Sequence, residues 1–264
     1  VSLRAEGYDL PITLFDSEAA LPYHKPPLSK TFLKDGAAQP QALRAEQVYE
    51  TAQVKRIVTS IASMDTNAQT ITLLDGTSIT YAALVLATGA RNRLLPDLAS
   101  AQNVHSLRTL SDATSLRKAL DHVQKVTIIG GGFIGLETAA ALAEIGKSVT
   151  VLEAAPRVLA RVAAEATSAL VEASLSALGI RLLMNWRGEG YTRDGNLITA
   201  IHGLEIVATD LILVGIGAIP NVDLAQAAGI ACANGVLTDA TLATNKPHVW
   251  AIGDVACTPH WQTG

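Results

Sequence analysis

The segment Gly130–Gly135 has the GxGxxG spacing that binds the diphosphate of a dinucleotide. It follows an apolar run over residues 126–129, which predicts a buried strand, and it opens an alanine-rich stretch over 134–146, which predicts a helix. In such a unit Gly130 allows the tight turn, Gly132 lets the backbone approach the diphosphate, and Gly135 lets the helix pack on the strand. The free N–H groups at the start of the helix then bind the phosphate oxygens.

A second predicted strand, Ser148–Leu152, ends on Glu153, 23 residues after Gly130. A carboxylate at this point accepts hydrogen bonds from ribose hydroxyls and repels a 2′-phosphate, so NADH is favoured over NADPH. Arg157 and Arg161 lie in the following loop, where an arginine could instead reach a 2′-phosphate. Such arginines more often contact the adenosine side of NAD or lie in solvent.

Two further apolar strands end in turns suited to nucleotide binding. One stops at Thr88-Gly89 and the other at Gly253-Asp254. An aspartate at the carboxyl end of a strand lies at the crevice where open α/β sheets bind nucleotides, so Asp254 is a candidate for a ribityl hydroxyl. Each signal is weak alone, because strands that end in this way are common.

The elements that must position these residues alternate between strands and helices, which predicts an α/β fold with doubly wound parallel sheets. The chain has 264 residues, 49% of them hydrophobic and 17% charged, and this excludes a disordered chain. A net charge of −4 argues against nucleic acid as a partner. Two cysteines are too few for a disulfide scaffold or a cysteine zinc site, and they favour a cytoplasmic location. No apolar run approaches the roughly 20 residues that span a membrane, and no metal site is expected.

Several blocks occur in the order seen in the FAD-dependent NADH–ferredoxin reductases, a family that includes putidaredoxin reductase and the reductase components of ring-hydroxylating dioxygenases. The sequence resembles this family over nearly its whole length through the following segments: ALPYHKPPLSK, LVLATGARNR, LRTLSDA, IIGGGFIGLETAAALAEIGKSVTVLEAAPRVLARV, VGIGAIPN and TNKPHVWAIGD. The resemblance implies two Rossmann-like domains, with an NAD(H)-binding domain (110–217) inserted in a FAD-binding domain (1–109 and 218–264). The family's N-terminal FAD glycine motif and C-terminal domain have no counterpart in the sequence, so we expect it to be part of a longer protein.

The resemblance also implies roles for individual residues. Lys30 of PPLSK lies beside the flavin N5 and pairs with Glu137, although without the family both residues would be interpreted as ordinary helix-terminus residues. The residues expected to bind FAD are Glu18, Lys30, Ile61, Thr88, Gly89, Arg108 and Asp254. The residues expected to bind NAD are Gly130, Gly132, Phe133, Ile134, Gly135, Glu153, Arg161, Gly215, Ile216 and Gly217.

The family transfers a hydride from NADH to FAD and then single electrons to a [2Fe–2S] ferredoxin, which serves a cytochrome monooxygenase or a Rieske-type dioxygenase. We therefore expect such a ferredoxin as the partner and a monomer or homodimer as the assembly. A disulfide reductase is disfavoured because residues 1–60 contain no cysteine, and Cys232 and Cys257 are interpreted as small apolar residues. An NADH oxidase, a rubredoxin reductase and a redox-sensing protein like apoptosis-inducing factor remain as alternatives.

Overall fold

The computed structural model describes residues 2–259, which divide into two compact units. The first unit combines the residues up to Tyr23, the segment Ala42–Arg91 and the residues from Ile219 onward. The second unit combines His24–Gln41 with Asn92–Ala218.

The strands are β1 Ile12–Asp16, β2 Val54–Val58, β3 Ile61–Asp65, β4 Thr70–Leu73, β5 Ser78–Thr80, β6 Leu84–Leu86, β7 Ala90–Asn92, β8 Val104–His105, β9 Lys125–Ile129, β10 Ser148–Leu152, β11 Arg181–Leu183, β12 Gly190–Asp194, β13 Leu197–His202, β14 Ile206–Ala208, β15 Leu211–Val214, β16 Ala218–Pro220, β17 Cys232–Ala233, β18 Gly235–Leu237, β19 Val249–Ala251 and β20 Ala256–Cys257. The helices are α1 Ser2–Ala5, α2 Thr31–Lys34, α3 Glu46–Thr51, α4 Leu110–Leu120, α5 Phe133–Glu144, α6 Glu165–Ala177 and α7 Asp223–Ala227, with 3-10 turns at Pro26–Ser29 and Gly253–Val255.

The second unit contains a five-stranded sheet in the order β11-β10-β9-β15-β8. Every neighbouring pair in it is parallel. All four residues of β15 are buried, which explains why this strand is a continuous apolar run. Helix α5 connects β9 to β10, and α6 connects β10 to β11. The strand order reverses beside β9, and this doubly wound arrangement confirms the expected fold class.

The first unit is built from smaller sheets around one hydrophobic cluster that includes Leu86, Val236, Val249 and Val255. Strands β1 and β2 form a parallel pair, and so do β6 and β19. An antiparallel sheet, β3-β4-β5, adds a hairpin between β4 and β5, whose turn at Asp75-Gly76 places Gly76 at a φ of +85°. A left-handed backbone of this kind favours glycine.

The two units differ in extent from the domains expected from the sequence. Residues 24–41, which carry the PPLSK block, group with the second unit, although the family resemblance predicts them in the FAD-binding domain. Residues 92–109 also group with the second unit. Across the described residues, the helices are too short or too polar for any of them to cross a bilayer.

Candidate functional site

The glycine loop lies between β9 and α5, at the point where the strand order of the second unit reverses. Gly130 has a φ of +113°, and a side chain there would collide with the carbonyl oxygen of Gly215. A side chain on Gly135 would collide with the carbonyl oxygen of Gly130. A Cβ added to Gly132 meets no atom within 4 Å. Two of these glycines are therefore required by packing, whereas Gly132 borders open space that a diphosphate can occupy.

Glu153 follows β10, which pairs with β9 up to Leu152 and Ile129, so the carboxylate lies beside the glycine loop. Its Oε2 accepts from the backbone N–H of Gly131 at 2.6 Å, and its Oε1 accepts from that of Ala155 at 2.7 Å. These bonds fix the carboxylate and leave lone pairs for ribose hydroxyls. The Glu153 carboxylate, as an acceptor for ribose hydroxyls, and the open space at Gly132 together fit NAD.

The first turn of α5 adds an apolar surface next to this loop. Phe133 is 59% exposed and Ile134 is 45% exposed, although both are large hydrophobic residues at the start of an otherwise well-buried helix. Exposed apolar side chains at such a position are suited to contact a ligand. Their binding role stays a prediction.

The two arginines after Glu153 have different surroundings. Arg157 donates to the carbonyl oxygens of Ala160 and Ala163 and to Ser168 Oγ, at 2.6–3.1 Å, so its guanidinium holds the loop together. Arg161 is exposed. Of the two, only Arg161 is therefore available to a nucleotide without breaking these loop contacts.

The segment Gly215–Gly217 follows β15, the other neighbour of β9. Pairing of Val214 with Ile129 brings it to the same sheet edge as the glycine loop, and the N–H of Gly215 donates to the carbonyl oxygen of Ile129 at 2.8 Å. Ile216 is half-buried, and Gly217 has a φ of +109°. The structure thus places the residues expected on the nicotinamide side next to the loop expected to bind the diphosphate.

Lys30 and Glu137 meet within the second unit, although they are 107 positions apart in the sequence. Lys30 Nζ lies 3.3 Å from Glu137 Oε1, and Ser29 Oγ donates to Glu137 Oε2 at 2.9 Å. Glu137 belongs to α5, the helix that the glycine loop opens. The expected contact is confirmed, but both residues belong to one unit rather than to two. The N-cap position of α2 is Lys30, and no side chain caps this helix.

In the first unit, the candidate turns Thr88-Gly89 and Gly253-Asp254 lie at one sheet edge. The parallel pair β6–β19 aligns Leu84 with Val249 and Leu86 with Ala251, so both strands end together. Gly253 has a φ of +69°, and a Cβ added there meets no atom within 4 Å. Open space next to Asp254 fits the hydroxylated chain of FAD.

The three remaining candidates lie in different places. Glu18 follows β1, and its Oε2 accepts from the hydroxyl of Tyr23 at 2.6 Å. Ile61 begins β3 and packs against the hydrophobic cluster of the first unit. Arg108 belongs to the second unit, just before α4, where its backbone N–H donates to Asp112 Oδ2 at 3.0 Å. Their roles toward FAD stay predictions.

Sequence reasoning missed Ser29, Arg117 and Asn221 as residues that hold candidate segments in place. Arg117 donates to three carbonyl oxygens of residues 32–38. Asn221 Nδ2 donates to the carbonyl oxygen of Thr88 at 2.8 Å, and Thr88 Oγ1 donates back to the carbonyl oxygen of Asn221 at 2.8 Å. Their partners are 79 to 133 positions away, so no local pattern could have identified them.

The fold and the glycine loop at the reversal of strand order define a dinucleotide-binding α/β protein. The sequence model of the family described as pyridine nucleotide-disulphide oxidoreductase matches residues 1–264, and the chain belongs to this family. The membership confirms the expected oxidoreductase class and the cofactor pair FAD and NADH.

Known relatives agree with this assignment. The chain is 39% identical over 259 residues to a rubredoxin-NAD(+) reductase of Pseudomonas putida, covering 96% of the chain and 67% of the relative. It is also 39% identical over 270 residues to the ferredoxin–NAD(+) reductase component of the biphenyl dioxygenase system of Paraburkholderia xenovorans, covering 100% of the chain and 65% of the relative. Its structure resembles the ferredoxin reductase for the CYP199A2 system of Rhodopseudomonas palustris, with a TM-score of 0.95, 39% identity and coverage of 99% of this chain and 66% of that one. The chain thus spans about two thirds of the length of these relatives.

Proposed function

We propose that the protein takes a hydride from NADH onto FAD and passes the electrons singly to a [2Fe–2S] ferredoxin. The observation that carries this proposal is the contact between Lys30 and Glu137 on α5, the helix that opens at the glycine loop. The family and the names of the relatives support the two cofactors and the electron acceptor. In this proposal the second unit binds NADH and the first unit contributes to the FAD site.

When bound, NADH supplies the hydride, and FAD accepts the electron pair and can release it one electron at a time. The residues of the chain bind and orient these groups. The backbone of Gly130–Gly135 and the start of α5 hold the diphosphate of NADH, with Arg161 and the surface of Phe133 and Ile134 beside it. Glu153 accepts from the ribose hydroxyls. Gly215, Ile216 and Gly217 border the nicotinamide.

Lys30 has the electrostatic role. A fixed ammonium group stabilises negative charge that develops next to it during the reaction. Glu137 orients this ammonium through Oε1, and Ser29 holds the other carboxylate oxygen. A pair whose side chains are 49% and 36% exposed adds only about 0–1 kcal/mol to stability. The small contribution to stability does not explain the Lys30–Glu137 pair, whereas a role in the reaction explains it.

In the first unit, we propose that Asp254 accepts from the hydroxylated chain of FAD, next to Thr88 and Gly89. Glu18 is the proposed acceptor for the ribose, and Ile61 contacts the adenine through its backbone. Arg108, in the second unit, is the proposed contact for FAD phosphate charge. The final acceptor of the electrons is proposed to be a cytochrome monooxygenase or a Rieske-type dioxygenase, served by the ferredoxin.

The test is steady-state turnover of the full-length protein with NADH and one of three acceptors: a [2Fe–2S] ferredoxin, a rubredoxin or dioxygen. The proposal expects the highest kcat/KM with the ferredoxin. A higher value with rubredoxin would establish the second candidate, a rubredoxin reductase, which the first of the relatives described above favours. Turnover with dioxygen alone would indicate an NADH oxidase. NADH-dependent dimerisation without turnover would indicate a redox-sensing protein.

A further inference from the structure

The segment His24–Gln41 lies in the sequence between two parts of the first unit, but it packs with the second. It carries Lys30, at the junction between the 3-10 turn Pro26–Ser29 and α2. Helix α2 has only four residues, and a single turn is not stable by itself in water. Contacts with the rest of the second unit must therefore fix the position of Lys30.

The burial of Leu28, Phe32 and Leu33 supplies apolar contacts, and Arg117 of α4 adds polar ones. Its Nη1 donates to the carbonyl oxygens of Phe32, Asp35 and Ala38 at 3.2–3.3 Å. The same guanidinium lies over the ring of Phe32, with 4.2 Å between Cζ and the ring centroid. Phe32 is itself buried. The Arg117 side chain therefore bonds to the carbonyls that follow Lys30 and also packs against the apolar side of that turn.

The carbonyls that Arg117 binds lie within and just after α2, where the last turn of a helix leaves carbonyls without internal partners. A cation at this end also matches the partial negative charge of the helix terminus. The planar guanidinium stacks on the ring of Phe32 while its Nη1 contacts the carbonyls, whereas a lysine ammonium has no planar face for such a stack. The residue type at position 117 therefore matters, and not only its charge.

The segment also contacts α5 through an ion pair between Lys34 and Glu144. Lys34 Nζ lies 2.7 Å from Glu144 Oε2, and the two side chains are 36% and 48% exposed. An exposed pair of this kind contributes about 1 kcal/mol at most. The half-buried Arg117, with three carbonyl partners and an aromatic ring, is the stronger anchor.

We propose that Arg117 is a positioning residue for the reaction proposed above, on which this inference rests. By clamping residues 32–38 onto α4, it holds Lys30 against Glu137 in the unit that contains the glycine loop. The Lys30–Glu137 pair is then formed before either cofactor binds, and Lys30 stays with the nucleotide-binding unit. Arg117 contacts neither reacting group in this scheme and acts only through the position of Lys30.

The experiment compares Arg117→Leu, Arg117→Lys and a matched control, Lys118→Leu, in the full-length protein with FAD. Lys118 is the neighbouring cation on the same helix and is exposed. Amide hydrogen exchange of peptides from residues 26–41 measures the clamp. Single-turnover stopped flow measures the limiting rate of flavin reduction and the dissociation constant of NADH.

We expect Arg117→Leu to speed exchange over residues 31–38 by about tenfold or more, because local opening becomes easier. The limiting rate should fall by about tenfold to a hundredfold, since small displacements of a catalytic group have effects of this size. NADH affinity should stay within about twofold, because the glycine loop is untouched. Arg117→Lys should give an intermediate result, and Lys118→Leu should match the wild type.

Unchanged exchange in Arg117→Leu would overturn the clamp. Faster exchange with an unchanged limiting rate, or an equal effect of Lys118→Leu, would overturn the positioning role alone. If Arg117→Leu does not fold, Arg117→Lys decides in the same way, because it keeps the charge and the aliphatic stem. A wild-type flavin that NADH does not reduce would overturn the proposed function itself, and with it the positioning role, while the exchange comparison still reports on the clamp.

Discussion

The carbonyl oxygen of Gly130 occupies the space that a side chain on Gly135 would need. The third glycine of the motif therefore serves the contact between α5 and the strand before it, and its requirement is steric. Gly132, the second glycine, has open space where a Cβ would lie. The two positions should respond differently to the same substitution.

We predict that Gly135→Ala lowers the free energy of unfolding by about 1–3 kcal/mol, the usual effect of overpacking. Gly132→Ala should cost no more than about 1 kcal/mol of stability, because Gly132 is the N-cap of α5 and alanine is a poorer N-cap than glycine. It should weaken NADH binding by at least about tenfold, because the added methyl group keeps the diphosphate away from the backbone. Urea unfolding and NADH titration measure the two effects. Equal NADH affinity in Gly132→Ala and the wild type would contradict the proposed diphosphate site.

Glu153 should set the preference for NADH over NADPH. Replacing it with alanine removes both the acceptor for ribose hydroxyls and the repulsion of a 2′-phosphate. We predict that the ratio of kcat/KM for NADH to that for NADPH falls at least about tenfold, which corresponds to about 1.4 kcal/mol. Glu165→Ala, in the exposed first turn of α6, is the control. A wild-type protein that prefers NADPH would refute this role of Glu153.

Lys30→Met removes the charge and keeps much of the length of the side chain. Loss of a fixed charge where negative charge develops lowers rates on the order of 10²-fold. We predict slower flavin reduction of this size at nearly unchanged NADH affinity, measured by single-turnover stopped flow. Lys34→Met removes the other lysine that contacts α5, through Glu144, and should have little effect. Similar rates for the Lys30→Met and Lys34→Met variants would rule out the electrostatic role of Lys30.

Asp210 should make stability depend on pH. Its Oδ2 accepts from the backbone N–H groups of Lys125 at 2.7 Å and Gln124 at 2.9 Å, and these bonds, that of Lys125 foremost, lower its pKa. A lowered pKa stabilises the fold fully above the pKa of the unfolded chain, about 3.9, and this contribution is lost as the pH falls through the folded value.

We therefore predict that Asp210→Asn has a lower Tm than the wild type at pH 7, and that the difference shrinks below about pH 4. Thermal unfolding at a series of pH values measures it. Asp194→Asn, which removes an exposed carboxylate on β12, is the control. A difference in Tm that persists at low pH would mean that the asparagine acts through packing rather than charge.

Local signals in the sequence explain why β9, α5 and β10 could be predicted. Glycine spacing, a largely apolar strand and an alanine-rich helix all point to one βαβ unit, and the structure confirms it. The Asp75-Gly76 pair is also a local signal, because Asp-Gly is typical of the turn in a hairpin such as β4–β5. Thr88 and Asp254 lie at one sheet edge because β6 and β19 are parallel neighbours, and parallel neighbours end at the same edge.

Contacts between distant residues explain what could not be predicted. Residues 24–41, which group with the second unit, contact Arg117 through three carbonyl oxygens, and carbonyls have no sequence signature. The contact of Ser29 with Glu137 could not be predicted either, because the two residues are 108 positions apart. The antiparallel sheet β3-β4-β5 was only partly foreseen, because its strands are half-exposed and lack long apolar runs.

The pairing of β6 with β19 also bears on how the chain folds during synthesis. Leu84 and its partner Val249 are 165 positions apart, whereas the whole parallel sheet of the second unit lies within residues 104–214. Because a ribosome delivers the chain from its N-terminus, that sheet can form while β6 still lacks its partner. The first unit is then left with an open strand edge for much of translation, and β6 is the segment that a chaperone would need to shield.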